Sequence, residues 1–426
     1  MSENSLEEKS KVRGVKKSFT TIGLRIRSIF SWCLFDFANS SYSAVIASVI
    51  FPVYYATRIV GDSSGLGDLW WGRAVSTSML IVALLSPLLG GIADYSGLRK
   101  RMLFLFVLLC TMSVAGLSGV KEGDALKGFI LIVIANTAME AGIIFYNSFL
   151  PLIAPEGYLG RVSSWGFGTG YLGSIISLII GLYLIQKGHY DLTWISVSLF
   201  FLLFSIPLFL TMPADQKKER FFHSAKRGMR FILQTFKTLW RDRLLRRFLI
   251  AYFLYMDGIN TVITFSGIYA TVTLGFEQKE LIILYIVVQF TALIGAFVFA
   301  KAVDSWGPKS VILLSLTLWI TVSVSAFFVQ SKGEFFILAC LAGTGLGTIQ
   351  AASRAYFSRF IPQGNESEYF GVYSMVGKSS AIAGPFLFGQ LSSISGSQRP
   401  AILAVTVFFI AGFLLMIKIQ KGHSGT

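Results

Sequence analysis

Long apolar stretches recur along the whole chain, and each is long enough to form a helix that crosses a bilayer. About 20 apolar residues suffice for such a helix, since each residue adds about 1.5 Å of length. An even number of such helices places both chain termini on one side of the membrane. Twelve segments are predicted, at residues 29–57, 70–93, 102–120, 128–150, 163–185, 192–212, 248–273, 280–303, 310–330, 334–360, 369–393 and 400–418.

One hydrophilic connection is much longer than the others and separates six segments from six. The predicted organisation is a basic cytosolic tail at 1–27, a bundle at 28–212, a cytosolic linker at 213–247, a second bundle at 248–418 and a tail at 419–426. The fold class predicted is therefore an all-α membrane protein of two pseudo-symmetric six-helix bundles. Within the linker, apolar residues recur at helical spacing among basic ones. This pattern favours an amphipathic helix on the inner leaflet over a soluble linker helix.

A polar stripe runs along the first apolar helix and recurs in the seventh. Residues at i, i+3, i+4 and i+7 share one helix face. A carboxylate deep in lipid costs at least about 2.5–3.5 kcal/mol, so such a face must contact other helices or a wet cavity. Because the stripe recurs in both halves of the chain, we expect the two stripes to line one shared cavity. The two stripes are Asp36, Asn39, Ser40 and Ser43, and Asp257, Asn260, Thr261 and Thr264.

Composition agrees with a membrane protein. Apolar residues make up 54% of the 426 residues and charged residues 14%, against about 25% in soluble domains. The net charge of +15 comes from basic residues clustered in loops, so nucleic-acid binding is not predicted. Cys33, Cys110 and Cys340 lack metal or disulfide spacing, and no metal site or cofactor is expected. All three histidines lie outside the segments, so carboxylates would have to carry any protons.

The distribution of lysine and arginine predicts the orientation. With the N-terminus in the cytosol, most basic residues fall on the inner side, as the positive-inside rule requires. We therefore expect a multi-pass protein of the cytoplasmic (inner) membrane with both termini cytosolic and an uncleaved first helix. The basic residues left on the outer side are Arg58, Arg73, Lys121, Lys127, Lys187, Lys279, Lys332 and Arg399.

A short turn after the second segment is repeated after the eighth. In each turn an acid is followed by glycine three residues later and by a base five residues later: Asp94, Gly97 and Arg99, and then Asp304, Gly307 and Lys309. We interpret these turns as gating latches between neighbouring helices rather than substrate contacts. Parallel repeats of six helices are typical of transporters whose substrate site lies at the midplane between the halves.

Away from the ends of the predicted spans there are five ionisable residues: Asp36, Glu140, Asp257, Arg354 and Lys378. Such residues are rare, and they line pathways or pair with one another. A transport role for each stands beside a purely structural one, and Glu140 is the best candidate proton carrier. Neighbouring amides and hydroxyls either line the same pathway or join helices by hydrogen bonds. Those predicted to line the pathway are Asn39, Ser43, Asn136, Tyr146, Asn147, Asn260, Thr264, Gln289 and Gln350.

Several blocks resemble a known family. The turn with Gly90, Asp94, Gly97 and Arg99 is similar to the loop signature of the major facilitator superfamily. WCLFDFANSSY, from Trp32 to Tyr42, resembles the opening of the autophagy-linked vacuolar effluxer branch, also called the unknown major facilitator family. Further matches are FYNSFLP, SSWGFGTGYLG, DGINTVI, QAASRAYFSRFIP and YFGVYSMVGKSSAIAGP. The resemblance implies a twelve-helix facilitator fold that moves small metabolites, and fungal relatives are linked to amino-acid export from the vacuole.

The function predicted is secondary transport by alternating access, without enzymatic activity. We expect proton-coupled export of small polar metabolites such as amino acids, by a monomer whose partners are its substrate, protons and lipid. Asp36, Glu140 and Asp257 would handle protons or a substrate amine. Arg354 and Lys378 would neutralise either a substrate carboxylate or the acids of the empty site. Two alternatives are an exporter of amphipathic drugs, lipids or siderophore-like molecules, and a non-transporting receptor or scaffold.

Overall fold

The computed structural model describes residues 25–61, 66–215, 237, 239–381, 383–395 and 398–419. Every regular element in these ranges is helical. The helices are α1 (Arg25–Val49, continued by Phe51–Val60), α2 (Leu66–Ser96), α3 (Arg99–Gly116), α4 (Ala125–Ser148, continued by Leu150–Ile153), α5 (Leu159–Gln186), α6 (Tyr190–Thr211), α7 (Arg243–Leu274), α8 (Gln278–Val298, continued by Ala300–Ser305), α9 (Pro308–Phe328), α10 (Lys332–Ser358), α11 (Glu366–Ser379 and Ala383–Ser395) and α12 (Gln398–Ile417).

The described helices agree with the predicted spans. Ten are individually long and apolar enough to cross a membrane, and the bent pair that forms α1 makes an eleventh. The predicted segment 369–393 corresponds to α11, which is broken into two shorter helices. Connections between successive helices alternate between two faces. We call the face with Arg25 and Ile417 the termini face and the other the opposite face.

Each group of six helices has its own aromatic core. In α1–α6 the core includes Trp32, Phe51 and Trp194, all 0–1% exposed. In α7–α12 it includes Phe248 and Trp319, which is stacked on a further ring of α12. Most buried apolar side chains therefore pack within their own bundle, while Ile144 of α4 joins the second core and Tyr171 packs against Ala292 and Ala296 across the boundary.

The first helix is bent rather than straight. The axis turns by 41° between Arg25–Val49 and Phe51–Val60, and π-helical turns cover Tyr42–Val49 and Tyr55–Val60. Pro52, in the first turn of the continuation, has no N–H and its ring crowds the carbonyl of the preceding turn. The continuation of α1 therefore runs in a different direction from the rest of the helix.

The break in α11 and the start of α7 also differ from the sequence-based spans. Pro385 follows Gly384 in the first turn of the second piece of α11. Proline is tolerated in a first turn, because an N–H there has no partner within the helix, but in the interior of a continuous helix it removes a hydrogen bond. Helix α7 begins at Arg243, within the predicted linker, because Asp242 caps it by accepting hydrogen bonds from the amides of Leu244 and Leu245 at 2.8 and 3.1 Å. Most of the proposed amphipathic helix lies outside the described residues.

Candidate functional site

Arg354 extends from α10 into the other bundle. Its Nη2 lies 3.4 Å from Oδ2 of Asp36 on α1. It also donates to Oδ1 of Asn147 at 3.1 Å, and to the hydroxyl and carbonyl oxygens of Ser163 at 2.9 and 2.7 Å. The arginine is 3% exposed and Asp36 6%. Three helices of the N-terminal bundle therefore hold one cation supplied by the C-terminal bundle.

Aromatic rings enclose the same guanidinium. Its Cζ lies 4.1 Å from the ring centre of Phe167 and 4.6 Å from that of Trp32. Cation–π contacts of this kind strengthen when water is excluded. Gly166 makes room for them, because a Cβ there would lie 2.5 Å from Asp36 and 2.9 Å from Arg354 Nη2. The arginine is therefore fixed by charge, hydrogen bonds and stacking together.

A second ion pair joins the bundles at Glu140 and Lys378. Lys378 Nζ of α11 lies 2.5 Å from Glu140 Oε1 of α4. The side chains are 30% and 17% exposed, so this pair is more accessible than the arginine. Both charges lie well inside their predicted spans, where an unpaired ion is costly. An accessible pair of opposite charges at the bundle boundary can exchange partners with an incoming ion.

Asp257 is placed differently from Asp36, although both begin the same polar stripe. It is fully buried within the C-terminal bundle, and its two carboxylate oxygens accept from the amide of Gly384 at 2.9 and 3.0 Å. Gly384 lies in the first turn of the second piece of α11, so Asp257 occupies the position of a helix N-cap. Asn260 Nδ2 reaches Ser380 Oγ at the same break, at 3.4 Å.

The remaining predicted pathway residues fall into three groups. Ser43 and Thr264 are exposed. Asn39 contacts Asp36, and Tyr146 stacks on Trp32 and donates to its carbonyl. The others form hydrogen bonds with side chains of a neighbouring helix or of the same helix. Asn136 pairs with Ser78 and Tyr42, Gln350 with Tyr171, and Gln289 with Tyr285.

The Asp94 turn joins the bundles at the termini face. Arg99 bridges Asp94 at 2.7 Å and Glu366 of α11 at 2.9 Å. Asp94 also accepts from the amide of Glu368 at 2.8 Å, which places its charge at the start of α11. Gly90 lies against this helix end, where a Cβ would collide with the backbone of residues 367 and 368.

The Asp304 turn makes the corresponding contact, but here the C-terminal bundle supplies the acid and the N-terminal bundle supplies the amides. Its carboxylate accepts from the amides of Gly160 and Arg161 at the start of α5, at 2.7 and 3.0 Å. Burial raises the pKa of the Asp304 carboxyl, and these two amides and the Arg161 guanidinium oppose the rise. Gly97 and Gly307 turn the chain with φ of 67° and 83°, which favours glycine. Lys309 donates to the carbonyls of Ile417 and Ile419 at the end of α12.

Sequence reasoning missed several residues of these contacts. Trp32, Ser163 and Phe167 hold Arg354, and Glu366 and Glu368 complete the Asp94 contact. The two glutamates could have been found as acids in a first helical turn. In the described part of the chain, no three His, Cys, Asp or Glu side chains lie close enough together to hold a metal ion.

The sequence as a whole is similar to known proteins. A family model described as vacuole effluxer Atg22 like matches residues 73–159 and 158–425. An uncharacterized MFS-type transporter of Bacillus subtilis, YxiO, is 31% identical over 407 residues, which cover 92% of this chain and 95% of that protein. Autophagy-related protein 22-1 of Aspergillus fumigatus is 24% identical, with 82% of this chain and 74% of that protein covered.

Solved structures share the fold. The human organic anion transporter MFSD10 superposes with a TM-score of 0.73 at 15% identity, covering 92% of this chain and 99% of that one. The transporter FucP in an outward conformation gives the same TM-score, identity and coverage. At such identities the likeness establishes the major facilitator fold and no more. Taken with the family match and the YxiO relative, it shows that this multi-pass membrane protein belongs to the Atg22-like vacuole effluxer family of major facilitator superfamily transporters.

Proposed function

We propose that the protein is a proton-coupled exporter of small zwitterionic metabolites, amino acids first, and that Glu140 and Lys378 form its substrate and proton site. The observation that carries this proposal is the 2.5 Å contact between the two charges, one from each bundle, at a partly exposed position. A zwitterion brings one ammonium and one carboxylate. It can therefore bind Glu140 and Lys378 at once while separating them.

Separation of the pair gives substrate binding a mechanical consequence. The empty pair holds α4 against α11, whereas a bound zwitterion satisfies both charges without requiring that contact. A ligand shifts a two-state equilibrium only by its differential affinity for the two states. A zwitterion bound here would have different affinities for the two states, because it replaces the Glu140–Lys378 ion pair that joins the bundles.

Proton coupling is assigned to Glu140. Protonation would neutralise the carboxylate and release Lys378, which is the same change that a substrate ammonium produces by competition. The proton and the substrate amine would therefore bind Glu140 in turn and not together. Exchange of substrate for protons across the membrane requires such competition. We place both termini in the cytosol of a bacterial cell, with the protein acting as a monomer in the cytoplasmic membrane.

Flux into proteoliposomes with an imposed pH gradient tests the proposal. We expect amino-acid flux that depends on the gradient, and a loss of at least about tenfold in Glu140→Gln, since a hydrogen bond to a charged group contributes about 1.5–3 kcal/mol. Lys378→Met should lose flux to a similar degree. Flux that ignores the gradient would contradict proton coupling.

The chain offers a matched control. Glu280 and Lys332 form another close ion pair, at 2.6 Å, but both belong to the C-terminal bundle and lie at the opposite face. Glu280→Gln and Lys332→Met should leave flux near the wild-type level. Equal losses at both pairs would overturn the assignment of Glu140 and Lys378. If hydrophobic cations stabilise the purified protein and amino acids do not, the function is export of amphipathic molecules instead.

A further inference from the structure

A basic surface lies at the termini face of the C-terminal bundle, where α7 begins and α12 ends. Arg247 Nη1 of α7 donates to the carbonyl of Lys418 at 3.0 Å, which joins the two helix ends. Leu239 is 2% exposed and belongs to the core of the same bundle, so the residues just before α7 pack against that bundle. The basic surface consists of Arg241, Arg243, Arg246, Arg247 and Lys418.

This surface carries much more positive than negative charge. The acid within it is Asp242, whose carboxylate accepts from the amides of Leu244 and Leu245 as the cap of α7. Arg241 and Arg243 are exposed, and among the described residues neither forms an ion pair with a carboxylate. Their guanidinium groups are therefore available to an anion from outside the chain.

The corresponding place in the N-terminal bundle receives an anion from the chain itself. Lys100 Nζ donates to the Met212 carbonyl at the end of α6, as Lys309 Nζ donates at the end of α12. Asp215 follows α6, and its carboxylate accepts from the amides of Lys100 and Arg101 at 2.8 and 3.0 Å. It also lies 3.8 Å from Arg101 Nε. One bundle thus supplies a carboxylate to its exposed arginine, whereas the other leaves its exposed arginines without one.

The level of the basic surface in the membrane indicates which anion is at hand. The membrane-spanning part of α7 begins at Arg243, and that of α12 ends at Ile417. The surface therefore lies at the level of the lipid headgroups. Trp240, which precedes Arg241, is 47% exposed. Tryptophan is enriched at this boundary, because its ring is apolar and its N–H is polar.

We propose that the basic surface is a binding site for the headgroup of an anionic phospholipid. Guanidinium groups bind phosphate oxygens through two parallel hydrogen bonds, and Arg241 and Arg243 are exposed to make them. A bilayer lipid is the partner rather than soluble phosphate, because the acyl chains hold the headgroup at the level of this surface. The site is separate from the Glu140–Lys378 pair and independent of what the protein transports.

Photo-cross-linking of the full chain in nanodiscs locates the bound lipid. The nanodiscs consist of neutral phosphatidylcholine with a trace of a photoreactive probe, either phosphatidylglycerol or phosphatidylcholine with the same reactive group on an acyl chain. Each base near an anionic headgroup contributes a factor of about five in binding. We therefore expect the phosphatidylglycerol probe to label residues 239–247 at least about tenfold more than the phosphatidylcholine probe, as measured by mass spectrometry of peptides. Equal labelling of these residues by the two probes would overturn the proposal.

Exposed arginines of the two bundles form a matched pair of variants. Arg243→Gln should reduce labelling by the phosphatidylglycerol probe about fivefold, and Arg241→Gln combined with Arg243→Gln about 25-fold. Arg101→Gln is the control, because Arg101 is also exposed at the termini face but lies beside Asp215, and it should leave the labelling unchanged. Equal losses in Arg101→Gln and Arg243→Gln would overturn the proposal, since the attraction would then be a general one.

Inorganic phosphate separates the lipid from a soluble anion. Added at matched ionic strength, it should not reduce labelling by the phosphatidylglycerol probe. Competition by inorganic phosphate would show that the surface takes a soluble anion and would overturn the assignment to a lipid.

Discussion

The two ion pairs between the bundles differ in how completely the protein encloses them. Arg354 has Asp36, Asn147, Ser163 and three aromatic rings around it and is 3% exposed. Glu140 and Lys378 touch at 2.5 Å, with side chains 17% and 30% exposed. The shorter contact is thus the less enclosed one. Distance and enclosure therefore rank the two pairs differently, and under the proposed function the less enclosed pair is the one expected to exchange partners.

The largest effect on stability is expected from Arg354→Ala. It leaves Asp36 buried without its cation, and removal of one partner of a buried ion pair costs about 3–5 kcal/mol. The melting temperature of the purified protein, followed by intrinsic fluorescence, should fall by many degrees. A fall no greater than that of Lys378→Ala would contradict the contrast between the pairs.

A smaller effect is expected from Asp36→Asn. The amide keeps an acceptor oxygen for Arg354, and Asn147 and Ser163 still bind the guanidinium. The loss should be about 1.5–3 kcal/mol, near that of one hydrogen bond to a charged group. The same thermal measurement checks it. If Asp36→Asn costs as much as Arg354→Ala, the carboxylate rather than the whole cage holds the arginine.

The smallest effect on stability is expected when the exposed pair is neutralised. The double variant Glu140→Gln with Lys378→Met should change stability by less than about 1 kcal/mol, as for ion pairs in contact with water. Flux should nevertheless be lost. A large destabilisation would show that this pair is also structural and would remove the distinction on which the proposed site depends.

The sequence predicted the architecture well, because helix length and polarity are local properties. It also singled out five charges away from the ends of the spans, Asp36, Glu140, Asp257, Arg354 and Lys378. It could not assign their partners, since three acids and two bases can pair in several ways and only the packing of α1, α4, α10 and α11 decides. Asp36 and Asp257 illustrate this: the same stripe places one beside a guanidinium and the other beside the Gly384 amide. Both are environments that a carboxylate accepts.

Some differences did have a local signal. Pro52 and Pro385 stand where α1 bends and α11 breaks, and both could have been recognised in the printed sequence. The residues that contact Arg354 had no such signal in the sequence. Ser163 and Phe167 lie far from residue 354 along the chain and resemble ordinary packing residues, so only the fold identifies them.

The reciprocal contacts of Asp94 and Asp304 carry a consequence for the order of events at the termini face. Each half contributes an acid to the first amides of a helix in the other half. Loss of only one of these contacts would leave the other joining the bundles at the termini face, so we expect both to break before the bundles separate there.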